Sequence, residues 1–176
     1  MKKNRILSII TAAMIAALYV VLSFVAYALG LSSGAIQLRF SEALTVLPFF
    51  TPAAIPGITI GCLLFNLLSG CALLDVLFGS LATLLGALAT YLLGRLLKKG
   101  AVIPKPAYLL LALPPVLSNL LIVPWVLQTA YGLTDAYWYL AAMVGAGEAI
   151  SCLMFGMLLL FALLPLKNTL FPSDPN

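Results

Sequence analysis

QLRFSEALTVLPFFTPAAIPGITIGCLLFN, from Gln37 to Asn66, sets an arginine, a glutamate and three prolines into an otherwise apolar background. A polar helix start at 37–42 runs into the apolar stretch 43–50 and stops at Pro52, because a proline disfavours helical backbone in the residue before it. TPAAIPG then turns tightly. Pro56, whose fixed φ suits the first turn of a helix, launches a further apolar run through 58 to about 68, with Asn66 near its far end. The stretch reads as two helices, the first of them short, with longer apolar runs on either side.

Those flanking runs decide the class. The 176 residues are 64% hydrophobic and 8% charged, with a mean hydropathy of +1.17, which is more apolar surface than a water-soluble core of this size can hide. A spanning helix needs about 20 apolar residues. The runs therefore predict an all-α integral membrane bundle of six transmembrane helices, the second span short, occupying 1–176 as a single domain. The net charge of +4 does not point to nucleic acid. Lys2, Lys3, Arg5, Lys98, Lys99, Lys105 and Lys167 stand beside apolar runs and read as topology markers, not as one basic patch.

Histidine is absent, which removes the commonest general base and metal ligand. Cys62, Cys71 and Cys152 show no Cys-x-x-Cys spacing and read as small packing residues, so no metal, cofactor or disulfide framework is expected. The metal signatures of membrane phosphotransferases, the residue pairs of intramembrane proteases and a phosphate-binding glycine loop are all missing, so the composition argues against an enzyme.

Outward from the opening stretch, span one is the uncharged run 6–30 behind a basic head. Within it Ala12 and Ala16, and one position on Ala13 and Ala17, recur four apart, and small residues at that period make a flat helix face that another helix can approach closely. After a turn at 69–72, span four runs from near Asp75 to Arg95, with Gly79, Thr83, Gly86, Thr90 and Gly94 on a close-packing face. Span five covers about 107–130, where Pro114 and Pro115 predict a kink. Span six covers 136 to about 164 and carries Gly145, Gly147 and Glu148 in its first half. By the positive-inside rule both termini and the loop at 98–105 are cytoplasmic, which puts Arg39, Glu42, Asp75, Asp135 and Glu148 in the outer half.

Ionisable groups within spans are costly to insert, about 2.5–3.5 kcal/mol at a helix centre, and are functional candidates for that reason. Glu148, among glycine and alanine, is the foremost. Arg39 and Glu42, three apart, can pair along one helix face. Asp75 suits either the cap of span four or a ligand contact. Asn119, behind the proline pair, can satisfy freed carbonyls or bind a ligand, and Asn66 carries the same alternatives. Tyr137 and Trp138 stand at the outer level, as an interfacial belt would. Outer carboxylates and amides with aromatics at the rim suit a small, planar ligand richer in donors than acceptors.

QLRFSEALTVLPFFTPAAIPGITIGCLLFNLLSG, followed by DVLFGSLATLLGALATYLLGRLLKK, closely resembles the QueT family of bacterial membrane proteins, over essentially the whole chain. These are substrate-binding S components of energy-coupling factor (ECF) importers. The resemblance implies a bacterial plasma-membrane protein that takes up queuosine precursors, which are deazaguanine bases. It also implies partners: a transmembrane T component and two ATP-hydrolysing subunits, the chain itself being no ATPase. In such S components an Ala-x-x-x-Ala pattern in the first helix docks on the T component, and Ala12 with Ala16 or Ala13 with Ala17 offers it. For this ligand class Glu148 is expected to accept the two parallel N–H donors of the base, Asn119 or Asn66 to meet its carbonyl, and Trp138 or Tyr137 to stack on it. An aminomethyl substituent would need a second carboxylate, Asp75 or Glu42. The alternatives are an S component for another vitamin-like compound, or a membrane enzyme of unrecognised type.

Overall fold

A computed structural model of the chain describes residues 2–32, 36–99 and 103–171. Residues 33–35 and part of the loop at 98–105 therefore lie outside the described residues, as do the side chains of Lys2 and Lys3. Every described element is helical: α1 (Lys2–Ala28), a central 3₁₀ helix (Phe40–Phe49), α2 (Ala54–Leu68), α3 (Leu73–Lys98), a second 3₁₀ helix (Lys105–Ala112), α4 (Leu113–Tyr131), α5 (Tyr137–Ile150), a π-wound turn (Ser151–Gly156), α6 (Met157–Leu163) and the short α7 (Lys167–Leu170).

Four helical segments are long and apolar enough to cross a membrane: Arg5–Ala28, Leu73–Lys98, Lys105–Tyr131 and Tyr137–Leu163. The chain is a multi-pass membrane bundle with four such spans, where the sequence reading counts six. The difference lies in the opening stretch. The central helix has 10 residues and α2 has 15. At about 2.0 Å per residue for a 3₁₀ helix and 1.5 Å for an α-helix they reach roughly 20 Å each, against a hydrocarbon core of about 30 Å. Pro48, Pro52 and the polar residues before them keep both elements short.

The central helix is enclosed on all sides: every residue from Ser41 to Phe49 is buried. Leu44 and Leu47 join Tyr19 of α1 and Ile58 of α2 in one apolar cluster, while Val46 and Phe49 join Leu111 and Leu160 in another. Its winding shows in the bonds Glu42 N–H to Arg39 O (3.2 Å) and Phe50 N–H to Leu47 O (2.8 Å), each spanning three residues. Side chains three apart eclipse in such a helix, so Glu42 and Thr45 share one ridge, and the Thr45 hydroxyl donates to the Glu42 carbonyl at 2.6 Å.

Lipid tails are as apolar as leucine, so close backbone approach and polar contacts hold such a bundle together more than apolar burial does. The glycines show where. A Cβ on Gly57 would lie 2.8 Å from the Ala12 carbonyl oxygen, and one on Gly61 would lie 2.6 Å from Tyr19 Cβ. The Ala12 and Ala16 side of α1 is thus the seat of α2. On α3, the expected small-residue face is buried throughout: Gly86 abuts Pro115 of α4, Gly94 abuts the Phe49 ring, and Thr90 donates to the Leu111 carbonyl. The proline pair lies inside the span Lys105–Tyr131. Pro114 and Pro115 open α4, where the chain changes from 3₁₀ to α winding, as suits residues without an N–H to give.

Candidate functional site

Arg39 is extended (φ −123°, ψ 111°) and precedes the central helix. Residues 36–39 form a strap across the bundle, held at two points. The Gln37 backbone lies so close to Gly147 of α5 that a Cβ there would overlap the Gln37 carbonyl oxygen. The Arg39 N–H donates to Ser151 Oγ at 3.1 Å. Ser151 opens the π turn, and a π turn re-aims the residues that follow it. Here it brings Ser151 to the strap and Cys152 to the carboxylates.

Within the core Glu42 is 1% exposed. Its Oε1 accepts the Tyr19 hydroxyl at 2.7 Å, and its Oε2 is buried with no hydrogen-bond partner. Glu148 is 8% exposed. Its Oε2 lies 3.9 Å from Cys152 Sγ, which lies 3.7 Å from Thr45 Oγ1. A carboxylate oxygen of Glu42, one of Glu148 and Cys152 Sγ all fall within 4.8 Å of one another. Arg39 is the cation whose charge acts on both glutamates. Its one side-chain hydrogen bond is a long one, 3.5 Å to Gln37 Oε1, and among the described residues it forms no ion pair. The pairing with Glu42 expected from their spacing does not form, because Arg39 stands before the helix and the i, i+3 geometry never applies to it.

A cavity of about 320 Å³ opens above this core, lined by Gln37, Arg39, Asp75, Tyr27, Phe65 and Tyr131 among others. That volume is at the small end of ligand pockets, about 300–1,000 Å³. A second of about 240 Å³ shares Gln37, Leu127 and Leu133 with it and continues to Asp135 and Tyr139. Asp75, in the first turn of α3, accepts the Tyr131 hydroxyl on Oδ2 at 2.8 Å, and that hydroxyl accepts the Ala72 N–H at 3.2 Å. Asn66 is fully buried beside it: Nδ2 donates to the Asp75 carbonyl at 3.4 Å, and Oδ1 has no partner.

Of the residues picked out by sequence, then, Arg39 and Asp75 line the cavity, Asn66 is buried against Asp75, and Glu42 and Glu148 are buried together without lining it. The others stand apart. Asn119 donates to the Pro115 carbonyl of its own helix at 3.1 Å. The Tyr137 hydroxyl donates to the Leu121 carbonyl, and Trp138 is 72% exposed with its ring edge-on to Tyr137. Neither aromatic lines the cavities just described. Tyr19, Tyr131 and Ser151 were not picked for the site by sequence, and Thr83 and Cys152 were read only as packing residues. Cys152 had a signal, standing four residues after Glu148 on the same helical face. Cys62 and Cys152, read as packing residues, are buried yet touch polar groups: Thr83 donates to Cys62 Sγ at 3.3 Å.

On the outside of α1 and α2 runs an apolar groove of about 530 Å³, lined by Ser8, Ala12, Ala13, Ala16, Ala17 and Pro56 among others. Ala16 is buried, Ala12 half-buried, and Ala13 and Ala17 are exposed.

Comparison with known proteins gives two matches. A family profile described as QueT transporter matches residues 9–165. The curated protein "Queuosine precursor transporter QueT" of Lactococcus lactis subsp. cremoris (strain MG1363) is 43% identical over 84 residues, which is 48% of this chain and 49% of that protein. The match thus spans about half the length of that relative. No solved structure matches the chain.

Proposed function

The chain belongs to the QueT transporter family, and from that premise we propose that it is the substrate-binding membrane subunit, the S component, of an ECF importer for a deazaguanine queuosine precursor. One observation supports this reading above the others: the cavity of about 320 Å³ has Arg39 and Asp75 in its wall, the buried Asn66 bonds the Asp75 carbonyl, and the buried Glu42 and Glu148 lie on the segments that bond the Arg39 backbone. Carboxylates inside a membrane bundle are costly unless they meet a partner, and a base rich in N–H donors is such a partner. Asp75, Asn66, Glu42 and Glu148 accept donors from the ligand, Arg39 closes the wall, and Tyr27, Phe65 and Tyr131 flank the flat ring. Asn119, Tyr137 and Trp138 act at one remove, by bracing α4 and α5 around the cavity.

In this reading the cavity faces outward, and both termini, Lys98 and Lys167 face the cytoplasm of a bacterial cell, as the positive-inside rule asks. The T component docks on the alanine groove of α1. Because Ala12 and Ala16 already seat α2, the exposed Ala13 and Ala17 are the register left for the partner. Two ATP-hydrolysing subunits then supply the energy, and delivery requires that ligand affinity differ between the outward and inward states.

Calorimetric titration of the purified, folded chain with deazaguanine bases, using guanine and riboflavin as comparators, tests the reading. Saturable binding of deazaguanines alone supports it; folded protein that binds none of them refutes it.

A further inference from the structure

Glu42 and Glu148 place carboxylate oxygens within 4.8 Å of each other, too close to grip opposite ends of a bicyclic base. Whatever they hold, they hold together. The charge of one guanidinium, that of Arg39, acts on both carboxylates, and among the described residues its one side-chain hydrogen bond is the long one to Gln37. The described lysines stand elsewhere: Lys98 and Lys167 line a cavity with Phe49 and Phe50, at the opposite end of the central helix from Arg39. Independently of this charge count, Glu42 Oε2 is buried without a partner in a side chain 1% exposed. A neutral N–H edge of a base satisfies one carboxylate and leaves the second charge unbalanced, whereas a primary ammonium has three donors and the missing charge.

Resting on the reading above, we infer that Glu42 and Glu148 form a shared seat for a cationic substituent of the base, whose charge joins that of Arg39 in balancing the pair. The ligand enters cation first. Its flat ring stays in the outer cavity among Tyr27, Phe65 and Tyr131, where Asp75 and the unpartnered Oδ1 of Asn66 meet its N–H edge. This moves Glu148 from the edge of the base, where the sequence reading puts it, to the substituent. The chain is then selective for an aminomethyl-bearing deazaguanine over the same base carrying a neutral substituent such as a nitrile.

The experiment is a titration of purified full-length protein with both bases, in wild type, Glu42→Gln, Glu148→Gln, Arg39→Gln and Asp75→Asn, each checked for folding by thermal unfolding. Losing a charge-assisted hydrogen bond is expected to weaken binding of the aminomethyl base by about 10- to 100-fold in either Glu variant, with the nitrile base changed by less than about 3-fold. Glutamine keeps an acceptor for Tyr19, and the two Glu variants report independently should one not fold. Asp75→Asn is expected to weaken both bases alike. Arg39→Gln, which removes the other cation near the pair, is expected to raise affinity for the aminomethyl base, the opposite sign to the Glu variants. Parallel losses for both bases in the Glu variants would overturn the inference, as would equal wild-type affinities, the outcome if the pair merely shares a proton. Binding of both bases that is lost on treatment with a chelator would overturn it too, by making the cluster a metal seat. Wild-type protein that binds neither base refutes the transport reading itself, a result distinct from all of these.

Discussion

Gly61→Ala tests whether helix packing and the polar core are one mechanical unit. The added Cβ would lie 2.6 Å from Tyr19 Cβ and 3.0 Å from both the Ala16 carbonyl oxygen and Tyr19 Cγ. Carbon atoms sit comfortably at about 3.5–4.0 Å, so α1 and α2 must part by roughly 1 Å. Overpacking of this kind costs about 1–3 kcal/mol. Tyr19 is also the donor to Glu42, at 2.7 Å. A shift of about 1 Å takes that bond past the usual hydrogen-bond range of about 3 Å and forfeits about 1.5–3 kcal/mol, leaving both Glu42 oxygens without a partner. The sum expected for Gly61→Ala is about 2.5–6 kcal/mol. Tyr19→Phe, which removes only the bond, should lose about 1.5–3 kcal/mol. Denaturant titration in mild detergent of both variants and of the double variant closes a mutant cycle. If Gly61→Ala already breaks the bond, Tyr19→Phe adds almost nothing on top of it. A fully additive double variant would show that α2 can be pushed outward without disturbing Tyr19, and the coupling argument would fail.

Three further outcomes are expected. Gly147→Ala forces a side chain onto the Gln37 carbonyl and lifts the strap, so ligand affinity should fall by about 10-fold or more, while Ser151→Ala, which removes only the bond to the Arg39 N–H, should cost about 1 kcal/mol of stability; calorimetry and unfolding separate the two. Ala17→Trp should abolish co-purification with the T component and leave ligand affinity within about 2-fold, whereas Ala16→Trp, buried against α2, should yield destabilised protein by about 1–3 kcal/mol or more. Tyr131→Phe strips Asp75 Oδ2 of its donor and the Ala72 N–H of its acceptor; about 1–2 kcal/mol of stability should go with it, measured by the same denaturant titration.

Hydropathy located α1, α3, α4 and the α5–α6 span because each is a long apolar run, which composition alone reveals. It overcounted at 37–66, where two apolar runs broken by Pro48, Pro52 and Pro56 form helices too short to reach both faces of the bilayer, the first of them enclosed by its neighbours. The winding was hidden. Nothing in FSEALTVLPF distinguishes 3₁₀ from α, and nothing around Ser151 announces a π turn, since both depend on what the rest of the bundle packs against them. The polar core was half legible. A carboxylate in an apolar run stands out, so Glu42, Asp75 and Glu148 could be picked. Tyr19 and Cys152 look like ordinary residues of an apolar helix until Glu42 and Glu148 are placed beside them. The alanine pairs show the same limit: their period is visible, but which pair faces α2 depends on Gly57 and Gly61, some forty-five residues away.

The central helix bears also on how the protein is made. Spanning segments enter the bilayer one by one when they are long and apolar enough, and associate afterwards. The ten residues Phe40–Phe49, with Glu42 inside and Arg39 at the threshold, fail both conditions: they reach only about two-thirds of the hydrocarbon thickness, and a charge at mid-membrane opposes insertion by about 2.5–3.5 kcal/mol. No lipid surface could receive this segment as an independent unit. It reaches its place only once α1, α2 and α3 offer Tyr19, Ile58 and Gly94 to surround it, so the element that carries the site is assembled by protein, after the membrane has sorted the rest.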